Sequence, residues 1–460
     1  LDTKLGKIDT YMDKEQQLIE RLKELKQSLI ARAVTHGINP NVKMKPSEIN
    51  WIGEIPEHWN VKRLGSHFIE NRHINSEFTV TEAYKFNYGT LIRKDIDVNL
   101  KEVEDIYRKY TLLNKNDIVI NGLNLNYDFI SQRVAKAETK GIITSAYLVL
   151  TPRKGVDVNY FCYLFKAMDS QKLFHGMGSG IRLTLSFEDL KSQLLPIPPL
   201  SEQHAIISFL DTELGKIDTY MDKEQQLIEH LKELKQSLIA RAVTHGIDPN
   251  VKMKPSGINW IGEIPEHWEV KRLGSHFIEN RHINSELTVT EAYKFNYGTL
   301  IRKDIDVNLK EVEDIYRKYT LLNKNDIVIN GLNLNYDFIS QRVAKAETKG
   351  IITSAYLVLT PRKGVDVNYF CYLFKAMDSQ KLFHGMGSGI RLTLSFEDLK
   401  SQLLPIPPLS EQRAIVDYLQ DKTSKIDKLI TEKTRKMEYM KELRQRIISD
   451  AVTGKIDVRS

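Results

Sequence analysis

A polar stretch from Asn121 to Arg133, with the sequence NGLNLNYDFISQR, holds side chains suited to chemistry on a nucleic acid. Asparagine amides can form paired hydrogen bonds with adenine, and a guanidinium can do so with guanine, so this stretch suits the reading of base edges. Asparagine-rich segments are also ordinary turns, which leaves a purely structural alternative open. A second stretch, YKFNYGTLIRK from Tyr84, adds cations that suit phosphate contacts.

A glycine-rich segment, HGMGSGIR from His175, has glycines spaced somewhat like those of a dinucleotide-binding loop. The dinucleotide fingerprint follows a strand and opens a helix, whereas here an amphipathic helix pattern comes first, so the segment does not predict a cofactor site. We interpret it as a loop that brings Arg182 to a phosphate or a base edge. A simple surface turn is the alternative.

One acidic pattern has roughly the spacing of a metal-dependent nuclease core: Asp128 with Glu138 and Lys140. Paired carboxylates can hold a divalent cation and a lysine can stabilise phosphate charge, but such spacing is also common on solvated surfaces. The sequence has no P-loop, HExxH, nucleophile elbow or kinase motif, and no Asn-Pro-Pro-aromatic motif of amino-group DNA methyltransferases. We therefore predict a protein that is not an enzyme and that binds no cofactor or metal itself.

The chain has 460 residues, 41% of them hydrophobic, and a formal net charge of +6. This length predicts two or three domains, and the mild positive charge permits an anionic partner such as nucleic acid. Cys162 and Cys371 have no CxxC or Cys/His companion, so neither a zinc site nor a disulfide framework is predicted. Because there is no signal-peptide pattern and no apolar run of the roughly 18 to 20 residues that a membrane span needs, we expect a soluble cytoplasmic protein.

An internal repeat organises the sequence. Residues 1–203 align with residues 210–412 at a shift of 209 positions with six mismatches, and the copies are identical from Thr79 to Gln203. The period is far longer than the roughly 20 to 50 residues of solenoid repeats, so each unit is a domain plus a connector. The repeat also doubles the candidate DNA-binding residues. The predicted set is Lys85, Asn87, Arg93, Asn121, Asn124, Asn126, Tyr127, Arg133 and Arg182 in the first copy, and Lys294, Asn296, Arg302, Asn330, Asn333, Asn335, Tyr336, Arg342 and Arg391 in the second.

The junction PLSEQ, at Pro199 and again at Pro408, begins a long helical pattern in each copy, with Ser201 and Glu202 as the predicted cap of the first helix. Apolar residues then alternate at spacings of three and four, which predicts a coiled-coil seam with weak points at Glu224 and Lys235. A helix of roughly 65 Å needs a partner, and the C-terminal copy supplies one; packing of each helix on its own domain is the alternative. The predicted seam residues are Leu210, Leu214, Ile217, Met221, Ile228, Leu231 and Leu238, facing Ile426, Leu429, Met440, Leu443 and Ile448.

Between the helical patterns the sequence predicts α+β domains. NDIVIN, GIITSAYLVL and YKFNYGTLI are typical of strands, whereas VNYFCYLFKAM and SFEDLKSQLL are typical of short amphipathic helices. The predicted division is a partial helix at 1–40, a first mixed α/β domain at 41–200, a central helix at 201–247, a second domain at 248–409 and a C-terminal helix at 410–460.

Four motifs in this order carry a resemblance to a known family: GEIPEHW where each domain begins, NDIVI in its middle, GSGIRLTLSFEDLKSQLLPIPPLSEQ at its end, and ARAVTHG at the end of the long helix. Together they closely resemble the specificity subunit of type I restriction-modification systems. The resemblance implies two target recognition domains, each reading half of a split double-stranded DNA site, separated by helices that form an antiparallel coiled coil with pseudo-two-fold symmetry. It also implies two methyltransferase subunits and restriction subunits as partners, and it places S-adenosylmethionine, ATP and magnesium in those partners.

The chain is then expected to be the non-catalytic DNA-recognition subunit of such a complex. Family members usually have two different recognition domains, whereas here they are nearly identical, so we predict two copies of one short DNA word arranged as an interrupted palindrome. The alternative function is a stand-alone coiled-coil DNA-binding regulator, which would bind its site tightly without partners.

Overall fold

The structure is a computed structural model that describes residues 43–94, 100–125, 132–178, 183–303, 309–336, 341–387 and 392–455. The partial helix predicted at 1–40 lies outside these residues. The chain divides into two compact units, the first made of residues 1–225 with 433–460 and the second of residues 226–432. Each unit therefore combines one mixed α/β domain with part of each long helix. None of the described helices is long and apolar enough to cross a membrane.

The first domain alternates short strands with short helices. Its strands are β1 (Met44–Ile49), β2 (Ile52–Pro56), β3 (Asn60–Arg63), β4 (Phe68–Glu70), β5 (Tyr84–Asn87), β6 (Thr90–Arg93), β7 (Thr111–Leu113), β8 (Ile118–Ile120), β9 (Val134–Lys136), β10 (Gly141–Ile143), β11 (Leu148–Pro152) and β12 (Leu194–Ile197). Its helices are α1 (Leu100–Tyr107), α2 (Val158–Ser170) and α3 (Phe187–Lys191), and the long helix α4 (Leu200–His245) follows.

A four-stranded antiparallel sheet in the order β4-β11-β8-β9 forms the centre of this domain. Strand β8 is the run Ile-Val-Ile and is buried on both faces, which explains why it is continuously apolar rather than alternating. Helix α2 packs on the same core: its N-cap Asp157 accepts a hydrogen bond from the Asn159 amide, and Phe161 meets Phe68 edge to face at 5.2 Å between ring centroids. The remaining strands pair as β1–β2, β3–β12, β5–β6 and β7–β10.

The second domain repeats this architecture. Its strands are β13 (Met253–Pro255), β14 (Glu263–Pro265), β15 (Glu269–Arg272), β16 (Phe277–Glu279), β17 (Tyr293–Asn296), β18 (Thr299–Arg302), β19 (Thr320–Leu322), β20 (Ile327–Ile329), β21 (Val343–Lys345), β22 (Gly350–Ile352), β23 (Leu357–Pro361) and β24 (Leu403–Ile406). Its helices are α5 (Leu309–Tyr316), α6 (Val367–Ser379) and α7 (Phe396–Lys400), and the long helix α8 (Leu409–Val452) follows. The central sheet has the equivalent order, β16-β23-β20-β21.

Most predicted elements are confirmed, and three are wrong in part. GIITSAYLVL and YKFNYGTLI, each predicted as a strand, both contain a turn between two strands, β10 and β11 in the first and β5 and β6 in the second. The segment SFEDLKSQLL is helical only from Phe187 to Lys191, after a capping box in which Ser186 and Asp189 exchange hydrogen bonds. Its last residues belong instead to β12, where Leu195 pairs with Lys62 of β3. Pairing with a strand more than a hundred residues away overrides the local helical pattern.

The two long helices are antiparallel within each unit. In the first unit Asp218 Oδ1 of α4 lies 3.1 Å from Arg444 Nε of α8, and Glu224 Oε2 lies 3.0 Å from Lys433 Nζ, so residue numbers rise along one helix as they fall along the other. In the second unit Lys235 Nζ lies 2.6 Å from Asp427 Oδ1. The predicted coiled coil is confirmed: most of the predicted seam residues are buried, and Met221, Met440 and Leu443 are half-buried.

The PLSEQ junction joins each long helix to its own domain. Helix α4 begins at Leu200, one residue before the predicted cap, because the amides of Glu202 and Gln203 donate to the Pro199 carbonyl. The cap prediction for Ser201 is therefore wrong. Glu202 instead accepts from the Trp59 indole at 2.9 Å and contacts His58 at 2.6 Å, which ties the GEIPEHW motif to the helix start.

Candidate nucleic-acid interface

The hairpin formed by β5 and β6 displays two predicted DNA-binding residues, Lys85 and Asn87, on its solvent face. The alternate residues of β5 pack toward a small apolar cluster, as the two-residue period of a strand requires. Lys294 and Asn296 have the same placement on β17. These four side chains are available to a ligand that approaches the hairpin from solvent.

Arg93, also predicted to contact DNA, lies on the other face of the same hairpin. It is directly opposite Tyr84 in the register of β5 and β6, and directly opposite residues share a face. Its guanidinium lies 3.0 Å from Glu82, and Arg302 lies 2.9 Å from Glu291 in the second domain. Both arginines are exposed, so a phosphate would have to compete with these carboxylates.

Arg133 supports a loop rather than facing solvent, which corrects the prediction that it contacts DNA directly. It is only 2% exposed, and its Nη1 donates to the carbonyls of Asn121 at 2.7 Å and Leu123 at 2.9 Å. Its amide donates to Asp169 Oδ2 at 2.7 Å, and burial raises the pKa of this carboxyl although the hydrogen bond opposes that rise. Arg342 is equally buried and repeats both contacts to carbonyls in the second domain.

The loop that Arg133 supports carries the predicted asparagines. Asn121 is half-buried, and its Oδ1 accepts a hydrogen bond from the Leu123 amide. Asn124 is exposed with φ of 50°, a left-handed conformation that asparagine tolerates better than most residues. In the second domain Asn330 is half-buried, whereas Asn333 and Asn335 are exposed.

The segment that follows HGMGSGIR lies against this loop. The Leu125 amide donates to the Leu183 carbonyl at 3.2 Å, and the Leu185 amide donates to the Gly122 carbonyl at 2.9 Å. A side chain at Gly122 would place its Cβ 2.7 Å from Leu185 Cβ, so this close approach requires glycine. The asparagine loop and the segment that follows HGMGSGIR are therefore neighbours.

The tip of the hairpin reaches the same region. A Cβ on Gly89, in the hairpin turn, would lie 3.5 Å from the Val134 carbonyl and 3.7 Å from the Gln132 carbonyl. Gln132 and Val134 flank Arg133, which holds the asparagine loop. Three segments that are far apart in sequence, namely the hairpin, the asparagine loop and the segment at Leu183, thus form one surface, which we call the recognition surface.

Some predicted site residues lie outside the described residues, namely Asn126, Tyr127, Arg182 and Arg391. Tyr336 ends a 3₁₀ turn, Leu334–Tyr336, with its side chain outside the described part. Sequence reasoning missed Tyr88, which is 66% exposed at the hairpin tip, and its copy Tyr297, which is 65% exposed. The available signal was a Tyr-Gly pair between two strand patterns, which is the position of a tight turn.

The residues of the nuclease alternative lie only partly within the described residues. Glu138 is exposed and lies 3.1 Å from Lys136, as in an ordinary surface ion pair. Its proposed partner Asp128 lies outside the described part of the chain. Within that part, no cluster of three histidine, cysteine, aspartate or glutamate side chains is arranged to hold a metal ion.

Comparison with known proteins gives a consistent result. The family described as the type I restriction modification DNA specificity domain matches twice, at residues 56–230 and 265–439. The specificity subunit of the type I restriction enzyme MjaVIII from Methanocaldococcus jannaschii is 26% identical over 432 residues, which cover 88% of this chain and 95% of that protein. The specificity subunit of EcoBI from Escherichia coli is 26% identical over 298 residues, covering 59% of this chain and 60% of that protein.

A solved structure shares the fold. A chain from a study of complex assembly and conformational transition in a type I restriction-modification system superposes with a TM-score of 0.63, at 16% identity, over 87% of this chain and 99% of that one. The duplicated family match covers well over half of the sequence. This chain therefore belongs to the type I restriction-modification DNA specificity family, whose specificity subunits are not themselves enzymes.

Proposed function

We propose that this chain selects the DNA target of a type I restriction-modification complex by reading a bipartite site, one half with each domain. The observation that carries the proposal is the duplicated recognition surface. Hairpin β5–β6 and hairpin β17–β18 have the same register, and the carbonyl contacts of Arg133 recur at Arg342. Identical side chains on an identical scaffold present the same donors and acceptors to a base edge.

The two half-sites should therefore be the same short word. Antiparallel helices relate their ends by an approximate two-fold axis, and a protein two-fold axis matches a palindromic DNA site. We infer an interrupted palindrome, with half-site centres about one helical turn, or roughly 10 base pairs, apart. The exposed candidates Lys85, Asn87 and Asn124, with their copies, are the residues that we propose to contact DNA. We assign Arg133 and Arg342 to positioning the asparagine loop.

Catalysis belongs to partner subunits in this proposal. Two methyltransferase subunits would dock on the long helices and the domains, and restriction subunits would join that core. S-adenosylmethionine, ATP and magnesium would then act in the partners, and this chain would contribute no group to the reaction. Because the proposed substrate is genomic DNA, the cytoplasm remains the expected compartment.

Purification of this chain with and without a type I methyltransferase subunit tests the function. The chain alone should transfer no methyl group from S-adenosylmethionine to DNA, whereas the mixed complex should methylate a specific sequence. Robust methylation by the chain alone would overturn the proposal. Tight sequence-specific binding by the chain alone, with no gain on adding the methyltransferase, would favour the stand-alone regulator instead.

A further inference from the structure

The tip of hairpin β5–β6 departs from the usual chemistry of its turn. Asn87 pairs with Thr90, so the turn contains two residues, Tyr88 and Gly89, and both have positive φ, at 41° and 78°. This is the pattern of a type I′ turn, in which asparagine, aspartate or glycine normally occupies the first position. A bulky tyrosine is sterically disfavoured there. Such a departure at an exposed site points to a role for the side chain beyond folding.

The solvent face behind this tip is chemically mixed. Lys85 and Ile92 lie opposite each other, and Asn87 and Thr90 lie opposite each other one step nearer the turn. All four are exposed, including Ile92, an aliphatic side chain that is 41% exposed. The other face packs on the domain through Phe86 and Leu91. The hairpin is therefore a two-stranded ribbon that is anchored on one side and presents a cation, an amide, a hydroxyl and an aliphatic group on the other.

The geometry points to a ribbon that enters a DNA groove. We propose that hairpin β5–β6 lies in the major groove with its solvent face toward the base edges and with Tyr88 inserted at the leading end. This proposal rests on the proposed function and names the element that reads the DNA. The major groove, about 12 Å wide, accepts a two-stranded ribbon, and each exposed group has a suitable partner there. Asn87 suits adenine, Ile92 suits a thymine methyl group, and Lys85 suits guanine or a phosphate.

The second domain repeats every element of this arrangement. Tyr297 is the first residue of the equivalent turn, with φ of 42°, and Gly298 follows with φ of 77°. Ile301 is 40% exposed on the solvent face. Both ribbons should therefore contact equivalent positions in the two half-sites, and equivalent substitutions should have equal effects.

The test uses the full chain in complex with methyltransferase subunits. Tyr88→Asn places in the turn a residue that favours positive φ, so the unfolding temperature should stay the same or rise. The same change removes the aromatic group from the groove, so affinity for the specific site should fall about fivefold or more, as for the loss of one contact to a base edge, and Tyr297→Asn should cause an equal fall. Ile106→Asn, at an isoleucine on helix α1 that is 52% exposed, is the control that should leave affinity unchanged.

Three outcomes decide the proposal. Unchanged affinity and half-site discrimination in both tyrosine variants would overturn it, as would a loss confined to one domain. If Tyr88→Asn lowers the unfolding temperature, Tyr88→Gly and Lys85→Ala take its place. For Lys85→Ala, the slope of log affinity against log salt concentration should become shallower by about one. A wild-type complex that binds no specific sequence would instead refute the proposed function.

Discussion

The two recognition domains are nearly identical in sequence, whereas the two long helices differ from each other. The domains are identical from Thr79 to Gln203, whereas the helices have diverged at the positions where they meet. Glu224 of α4 and Lys433 of α8 occupy the same position of the repeat, yet they carry opposite charges and form a buried ion pair at 3.0 Å. The difference shows that the two domains keep the same side chains from Thr79 onward, whereas the helices carry complementary charges where they meet.

Ion pairs on either side of Glu224 and Lys433 also follow the repeat. Asp218 with Arg444 in the first unit is the counterpart of Asp427 with Lys235 in the second, so one exposed ion pair occurs twice. The Glu224–Lys433 pair lies between these two, and Lys436 Nζ joins it at 3.3 Å from Glu224 Oε1. A buried polar cluster in an apolar seam can fix register and partner choice, and here it favours the pairing of α4 with α8 over the pairing of like helices.

The largest effect should come from breaking the apolar seam of the first unit. Leu214 and Ile217 are buried, and changing both to aspartate removes roughly 1.5 to 3 kcal/mol of apolar burial at each site while burying two unpaired charges. Thermal and denaturant unfolding should show a loss of more than about 4 kcal/mol, with weaker partner binding. The exposed Thr219→Asp is the control. Unchanged melting and unchanged partner binding in the double variant would show that this face is not the seam.

Reversing the charge of Glu224 should have the next largest effect on the free energy of unfolding. Glu224→Lys brings three ammonium groups together in a buried site, and breaking such a pair typically costs about 3 to 5 kcal/mol. Adding Lys433→Glu should restore part of that loss, since one opposite-charge contact is re-formed. Denaturant unfolding of the single and double variants measures the coupling, with the exposed Glu229→Lys as control. A double variant no more stable than Glu224→Lys would contradict helix complementarity.

A smaller effect should distinguish the two PLSEQ junctions. Glu202 accepts a hydrogen bond from the buried Trp59 indole, whereas the Trp268 indole makes no hydrogen bond within the described residues. Glu202→Ala should therefore cost about 1 to 3 kcal/mol, because it leaves a buried N–H unpaired. Glu411→Ala removes only a partly exposed contact to His267 and should cost less than about 1 kcal/mol. Equal losses in unfolding free energy would contradict this reading of the junctions.

The smallest effect is a dependence on pH that both domains should share. His67 packs against Phe161 and His276 against Phe370 in tilted ring contacts, and burial lowers the pKa of each imidazole. Because the folded state favours the neutral ring, its contribution to stability is complete above pH 6.5 and is lost as the pH falls from there toward the lowered pKa. The free energy of unfolding should fall between pH 7.5 and pH 5.5. His67→Phe and His276→Phe should each make this fall smaller, and by the same amount. A change in only one variant would show that the domains are not equivalent.

The long-range repeat and the heptad-like spacing were strong enough to predict the two domains and the helix pair. Placement of individual side chains was less predictable. Arg133 looked like a base-reading residue because it follows an asparagine-rich loop. In the folded domain its guanidinium instead donates to two carbonyls of that loop, and its backbone amide donates to Asp169, which is 36 residues away. Tyr88 was missed because its exposure and positive φ follow from strand pairing, which local sequence does not reveal.

The central claim is that two identical recognition surfaces read the same word in opposite orientations. Expression of this chain with its methyltransferase subunits in a host that lacks other methylation, followed by genome-wide mapping of methylated bases, tests it directly. We predict one motif, an interrupted palindrome whose two half-words are identical and whose centres lie about 10 base pairs apart. A motif with two different half-words, or with two half-words in the same orientation, would contradict the account.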